Sequence, residues 1–348
     1  MKILSQIFIL FIFVSCAGEV KNTDPTEEIK SLVPATTFLS QSDSSSFYDQ
    51  DHTSAPDTVA YVGPWTCKAI RYPKYDSSIS ISAPFNSVKA LRLLFPGNFN
   101  IWDDDRGLDQ YLVDWKSNAS KIKFETNYFG EYIYFPFGKG NETRICDTLY
   151  YRLKSKEYIL VSFTSREFEV DGLRMGRFDG AVLGIALFEK QNQKWFLKAF
   201  NPAIVYNGSY SKACSPELAK LSSDEMGYKC LAMNGGAGGP FSAPLELIIR
   251  DSNTFVKVLN LPYARYEFDA GCSWKETIVS LEKEHIININ LKGSYFLEGF
   301  TLFDNIFIPD CVERMGKQRD SSAFIYTYCY RRDSVNNFKL VNEYYQFR

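Results

Sequence analysis

From residue 149 to residue 341, short apolar runs of strand length alternate with polar turns. Side chains alternate across an extended strand, so a period-two pattern punctuated by turn residues predicts paired strands. The clearest hairpin joins Leu183–Phe188 to Trp195–Phe200 through the polar stretch 189–194. A second joins Leu245–Ile249 to Phe255–Leu259 through Arg250–Asn253, and a third joins Phe324–Tyr330 to Phe338–Val341 through Arg331–Asn337. In each, one large aromatic residue (Trp195, Phe255 or Phe338) opens the return strand, which predicts a shared core position for the three. Each hairpin follows another: Leu149–Phe163 turning at Ser155–Glu157, Glu217–Met233 turning around Ser222–Glu225, and Thr277–Leu291 turning at Glu282–Glu284. The C-terminal part thus reads as three units of two hairpins, starting near residues 149, 217 and 277. One such unit cannot bury its faces alone, so the units must stack.

The expected fold class is all-β, an antiparallel meander of repeated hairpins with a propeller-like arrangement; a β-sandwich is the alternative. The 28 Phe and 22 Tyr residues suit strands rather than helices. Between residues 58 and 147 further strands are expected, among them Lys121–Glu125 and Glu131–Phe135. One short helix is predicted over Asn86–Leu94, ended by Pro96 and Gly97. With 45% apolar residues in 348, the chain can bury a sizeable core.

The N-terminus carries a different signal. Lys2 precedes an unbroken apolar run, Ile7–Val14, which has the size of a signal-peptide core and is too short for the roughly 20 residues of a membrane span. Phe13-Val14-Ser15-Cys16 then resembles the bacterial lipobox, with Phe13 where that family usually has Leu. The resemblance implies lipidation of Cys16, cleavage before it and attachment to the cell envelope, with the outer membrane as the expected site. Ordinary cleavage after Ala17, giving a secreted protein, is the alternative. Several acyl chains hold a protein on a bilayer, where one gives only reversible binding. Residues 1–15 are therefore expected to be a signal peptide and 16–57, poor in large apolar residues and rich in Ser, a disordered tether. Residues 58–348 form the expected β domain, with an N-terminal part to 147 and the repeated part after it. The stretch 180–240 also resembles exported bacterial proteins of unassigned function. It does so through Gly184-Ile185-Ala186-Leu187-Phe188, Lys194-Trp195, Asn207-Gly208-Ser209-Tyr210 and Gly235-Gly236. That covers about a sixth of the chain and implies no activity.

Of eight cysteines, seven remain if Cys16 is lipidated, and none forms a C-x-x-C pair, which disfavours zinc ribbons and thioredoxin-like sites. In an exported chain disulfides are expected, Cys214 with Cys230 and Cys311 with Cys329 being the first candidates by loop length. Lys plus Arg number 39 against 41 Asp plus Glu, interspersed, so no basic stripe offers itself to nucleic acid.

Catalytic chemistry is sparsely supplied. The two histidines are His52, in the expected tether, and His285, at a turn, so neither a His-built triad nor a His-rich metal site is expected. Asp103, Asp104, Asp105 and Asp109 surround Gly107 but lack the spacing of a 12-residue calcium loop and read as a solvated turn. The Gly-rich stretch 234–240 lacks the Lys-Ser/Thr of a P-loop. Glu167, Glu169 and Asp171 are the other acidic cluster, and a pair of carboxylates at the right separation could cleave a glycosidic bond. No catalytic, cofactor or metal residue is assigned. The expected function is that of a lipid-anchored, non-enzymatic envelope protein binding a protein or glycan through loops of a β scaffold; an exported hydrolase using those carboxylates is the alternative.

Overall fold

The computed structural model describes residues 67–104, 108–125, 132–168, 180–208, 212–231, 241–242, 245–261, 264–265, 272–281, 285–296, 321–334 and 337–347. The described residues all belong to one compact unit, His52–Arg348. That unit is all-β. Its first part contains β1 (Lys68–Ala69), β2 (Ser80–Ser82), α1 (Ser87–Leu94), β3 (Asn98–Asp104), β4 (Leu108–Lys116), β5 (Ile122–Glu125) and β6 (Tyr132–Phe135). Next come β7 (Asn141–Leu153), β8 (Lys156–Glu167), β9 (Ala181–Gln191) and β10 (Lys194–Asn207). The remainder is β11 (Glu217–Lys220), β12 (Met226–Leu231), β13 (Phe241–Ser242), β14 (Leu245–Asp251), β15 (Thr254–Leu261), β16 (Ala264–Arg265), β17 (Cys272–Leu281), β18 (Ile286–Phe296), β19 (Ser321–Ser334) and β20 (Asn337–Phe347).

The three expected units are present as consecutive antiparallel meanders: β7-β8-β9-β10, β11-β12-β14-β15 and β17-β18-β19-β20. The first differs from a four-stranded propeller blade. It is widened to an eight-stranded sheet by β4, β3 and β1 beyond β7 and by β2 beyond β10, and β1 pairs parallel with β4. Turns are tighter than the polar stretches suggested, because backbone pairing runs on through polar residues. Glu189, Lys190 and Gln191 pair with Phe196, Trp195 and Lys194, leaving only Asn192 and Gln193 outside the strands. The first residue of the turn takes a left-handed φ of 55° at Lys154, Asn192 and Ser252 alike, a conformation that turns the chain within two residues.

The sheets stack in chain order, and the sequence shows why. In β14, Leu245, Leu247 and Ile249 point into a core shared with Ile287, Ile289, Leu291, Tyr326 and Phe338 of the third sheet. Ile248 points the other way, into a core with Leu160, Leu183, Leu187, Tyr228 and Phe255. A strand buried on both faces reads as a continuous apolar run rather than an alternating one. Strands β8 and β9 have the same property, since their opposite faces (Val161, Phe163, Ala186, Phe188) join an aromatic core under α1 and the β5–β6 ribbon. Helix α1 begins where Asn86 accepts a bond from the Lys89 amide (2.8 Å) and buries Leu91 and Leu94 in that core. Phe95 sits at its centre, edge-on to Phe163 (5.2 Å) and Phe200 (5.7 Å). Trp195, Phe255 and Phe338 each occupy the second position of their return strand, and each is buried.

Candidate functional site

The face of the large sheet that meets the second sheet is apolar along its middle and polar at one end. Across three neighbouring strands, Asp114 pairs with Glu142 and Glu142 with Arg166. Arg166 donates Nε to Glu142 Oε1 and Nη2 to Oε2, both at 2.8 Å, in the forked geometry that a planar guanidinium gives a carboxylate. Asn100 Nδ2 donates to Asp114 Oδ2 at 2.5 Å, while Asp114 Oδ1 is buried with no partner. Asp114 is only 2% exposed. Burial first, and then the Glu142 charge beside it, push its carboxyl up to about 7, with the Asn100 bond and Arg166 partly offsetting. Cys67 lies near this row, its sulfur against Gly140, and burial followed by Asp114 raises its thiol to about 11. On the opposite face of the same strands Trp115 Nε1 donates to Thr143 Oγ1 (2.8 Å), which bonds the Ser165 hydroxyl (2.7 Å).

A second polar cluster lies where β10 leaves the sheet. Gly208, at φ +86°, turns the chain so tightly that a Cβ would strike the Lys212 backbone. Ala213 and Cys214 lie beside Thr164, whose hydroxyl accepts from the Ala213 amide (3.3 Å). Cys214 and Cys230 form a disulfide between this segment and β12. Asn207 ties the cluster together: its Oδ1 accepts from the Cys214 amide (3.0 Å), and its Nδ2 faces Cys214 Sγ (3.1 Å) and Glu246 Oε2 (2.7 Å). Glu246 stands directly opposite Cys230 in the β12–β14 ladder and pairs with Lys257 Nζ at 3.3 Å. Burial raises its carboxyl above the ordinary range against the pull of Lys257 and Asn207. The two sulfurs and a Glu246 oxygen lie within 4.8 Å of one another, yet the sulfurs are bonded to each other, which leaves no thiolate for a metal.

Cys16, His52, Cys311, Asp105, Gly107, Glu169, Asp171 and the stretch 234–240 lie outside the described residues. The expected Cys311–Cys329 bridge meets a correction at its described end. Cys329 carries a free, buried thiol in mid-strand of β19, where its ladder neighbours are Asn288 and Asn342 rather than a cysteine. Asp103 and Asp104 close β3, with Asp103 opposite Asp109 and Asp104 opposite Leu108 in β4. Glu167 ends β8 opposite Asn141, half-buried. His285 is exposed at the turn before β18, with φ 52°. It borders a pocket of about 310 Å³ together with Leu221, Asp224, Glu225 and Phe338. Arg332 lines the pocket as well, donating Nη1 and Nη2 to the two Glu225 carboxylate oxygens and lying 5.3 Å over the Phe338 ring.

Sequence reasoning missed Asp114, Glu142, Arg166 and Glu246. For Glu246 the signal was present, one carboxylate inside Leu245-Glu246-Leu247-Ile248-Ile249. No family model matches the chain, nor does any curated protein or solved structure.

Proposed function

We propose that this protein is exported, held at the cell envelope by lipid on Cys16, and binds a glycan or protein partner through the surface of its β scaffold. The compartment is supported by the Cys214–Cys230 disulfide, since such bonds persist where thiols are not kept reduced. The observation that carries the binding reading is the outward face of the β5–β6 ribbon. Tyr132 and Tyr134 alternate along β6 and are 46% and 48% exposed, while Phe124 and Phe135 point inward and fix the ribbon to the aromatic core. Lys123 stands opposite Tyr134 and places its ammonium 3.3 Å over the Tyr132 ring. Tyrosines held out on a rigid support give contact area at little entropic cost and suit sugar rings or protein surfaces equally.

Two experiments test this. Cys16→Ser in the full chain should move the protein from the membrane to the soluble fraction; an unmodified mature N-terminus in the wild type would overturn the anchor. Replacing Tyr132 and Tyr134 together by Ala should weaken retention on purified cell-wall glycan or on envelope protein about tenfold, roughly 1.4 kcal/mol, with Tm nearly unchanged. Equal retention of wild type and variant on both supports would remove the ribbon from the reading.

A further inference from the structure

We propose that Cys146 is the attacking thiol of an internal thiol–disulfide exchange with Cys214–Cys230, so that this cluster is a redox relay rather than a passive cross-link. Cys146 is the extra residue of a bulge in β7, where the register with β8 shifts between Ile145 and Asp147. A bulge takes its residue out of the ladder and re-aims the side chain. The Cys146 sulfur lies 3.7 Å from the Ala213 carbonyl oxygen, 3.9 Å from that of Cys214 and 3.4 Å from the Ser215 hydroxyl. It therefore touches the very residue that carries one half of the disulfide, and it is half-exposed, within reach of solvent and base.

The two disulfide sulfurs are not equivalent. Cys214 sits in the segment 213–216, outside any strand, whereas Cys230 is fully buried within β12 and paired with Glu246. Cys214 is thus the sulfur that can turn toward Cys146, and Cys230 is the leaving group. Around them stand polar groups that a purely structural cross-link does not require. The Asn207 amide faces the Cys214 sulfur at 3.1 Å, and the Glu246 carboxyl is within 4.8 Å of both sulfurs. Burial keeps a proton on Glu246 to higher pH than on a free glutamate. In the exchange, Cys146 gives up its proton to solvent and its thiolate attacks Cys214. The Cys146–Cys214 bond forms as the Cys214–Cys230 bond breaks, and Cys230 leaves as a thiolate that takes a proton from solvent. One disulfide is exchanged for another, and no oxidant or reductant is consumed.

The test is disulfide mapping by peptide mass spectrometry on the full chain, with free thiols trapped after acid quenching. Cys230→Ser, prepared with oxidised glutathione as oxidant, should contain a Cys146–Cys214 bridge in most molecules. In wild type held at pH 8.5, a fraction carrying that bridge should grow to a plateau, and Cys146→Ser should abolish it. The relay is overturned if Cys230→Ser folds and leaves Cys146 and Cys214 both free to alkylate. Should Cys230→Ser fail to fold, wild type alone decides: a Cys214–Cys230 bridge that never rearranges at pH 8.5 overturns the proposal as well.

Discussion

Replacing Asp114 by Asn isolates a buried carboxyl that the fold makes costly to ionise. In the folded protein the Asp114 carboxyl is raised from 3.8 to about 7, mainly by burial and secondly by Glu142. Between those values the folded state holds a proton that the unfolded chain has released. Stability is therefore greatest at the acid end and falls as pH rises through about 7, by up to roughly 1.4 kcal/mol per pH unit and on the order of 4 kcal/mol in all. For a domain of this size, that corresponds to a Tm lower by about 8 °C at pH 8 than at pH 5 from this group alone. Asparagine is neutral throughout and still offers an oxygen to the Asn100 amide. Its profile should meet wild type only near pH 4, and lie above it by roughly 1.5 kcal/mol at pH 5 and by on the order of 4 kcal/mol at pH 8. Glu246, also raised by burial, adds a slope of the same sign to both proteins, so the difference between them carries the assignment. Glu157, lowered to about 2 by its Lys190 and Arg152 bonds, loses its contribution only as pH falls well below this window. The measurement is urea unfolding of both proteins at pH 5, 6, 7 and 8. Parallel profiles would show that Asp114 is ionised in the fold, and the argument from burial would fail.

Trp195→Ala should cost about 3–5 kcal/mol in the same assay, because the ring is buried edge-on against Phe85 (5.8 Å) and Tyr150 (6.3 Å). An unchanged midpoint with lost glycan retention would instead make Trp195 a surface platform. Arg166→Met should cost about 3–5 kcal/mol at pH 8, since it leaves Glu142 buried beside Asp114 without its counter-charge; a loss below 1 kcal/mol would mean that water reaches the pair. Cys214→Ser removes a cross-link closing a separation of 16 residues and should cost about 3 kcal/mol, read as a lower denaturation midpoint at constant slope.

The hairpins were legible because each is announced locally, by a turn and by the strand patterning beside it, as in Leu183–Phe188 and Trp195–Phe200. The width of the first sheet was not. Strand β2 joins β10 through the pairing of Ile81 with Trp195, and β4 joins β7 through Asp114 and Glu142. Such pairings follow from which segments cover the two faces, and they leave no mark in a window of ten residues. The same limit hid the buried carboxylates. Asp114 lies between Val113 and Trp115, which point to the aromatic core, so Asp114 points to the opposite face of the sheet. There Asn100 of β3 bonds it and Glu142 of β7 stands beside it, neighbours that the local pattern does not announce. Cys214–Cys230 was legible by loop length, and Cys329 was misassigned because loop length says nothing of a ladder in which Asn flanks the thiol.

The buried polar row carries a consequence for how the large sheet finds its register. Hydrophobic residues of similar volume could replace Glu142 and Arg166 at little cost, so stability alone does not account for the pair. A slip of one residue in β7 or β8, however, would turn these charges into the aromatic core beside Trp115 and Phe163, without partners. The forked Arg166–Glu142 bond is satisfied in one register only. Strands β8 and β9 are apolar on both faces, so alternation gives them little register information of their own. The charged row at one end of the sheet supplies what their side chains lack. It does so next to the widening strands β3 and β4, which are the part of the sheet that no repeat dictates.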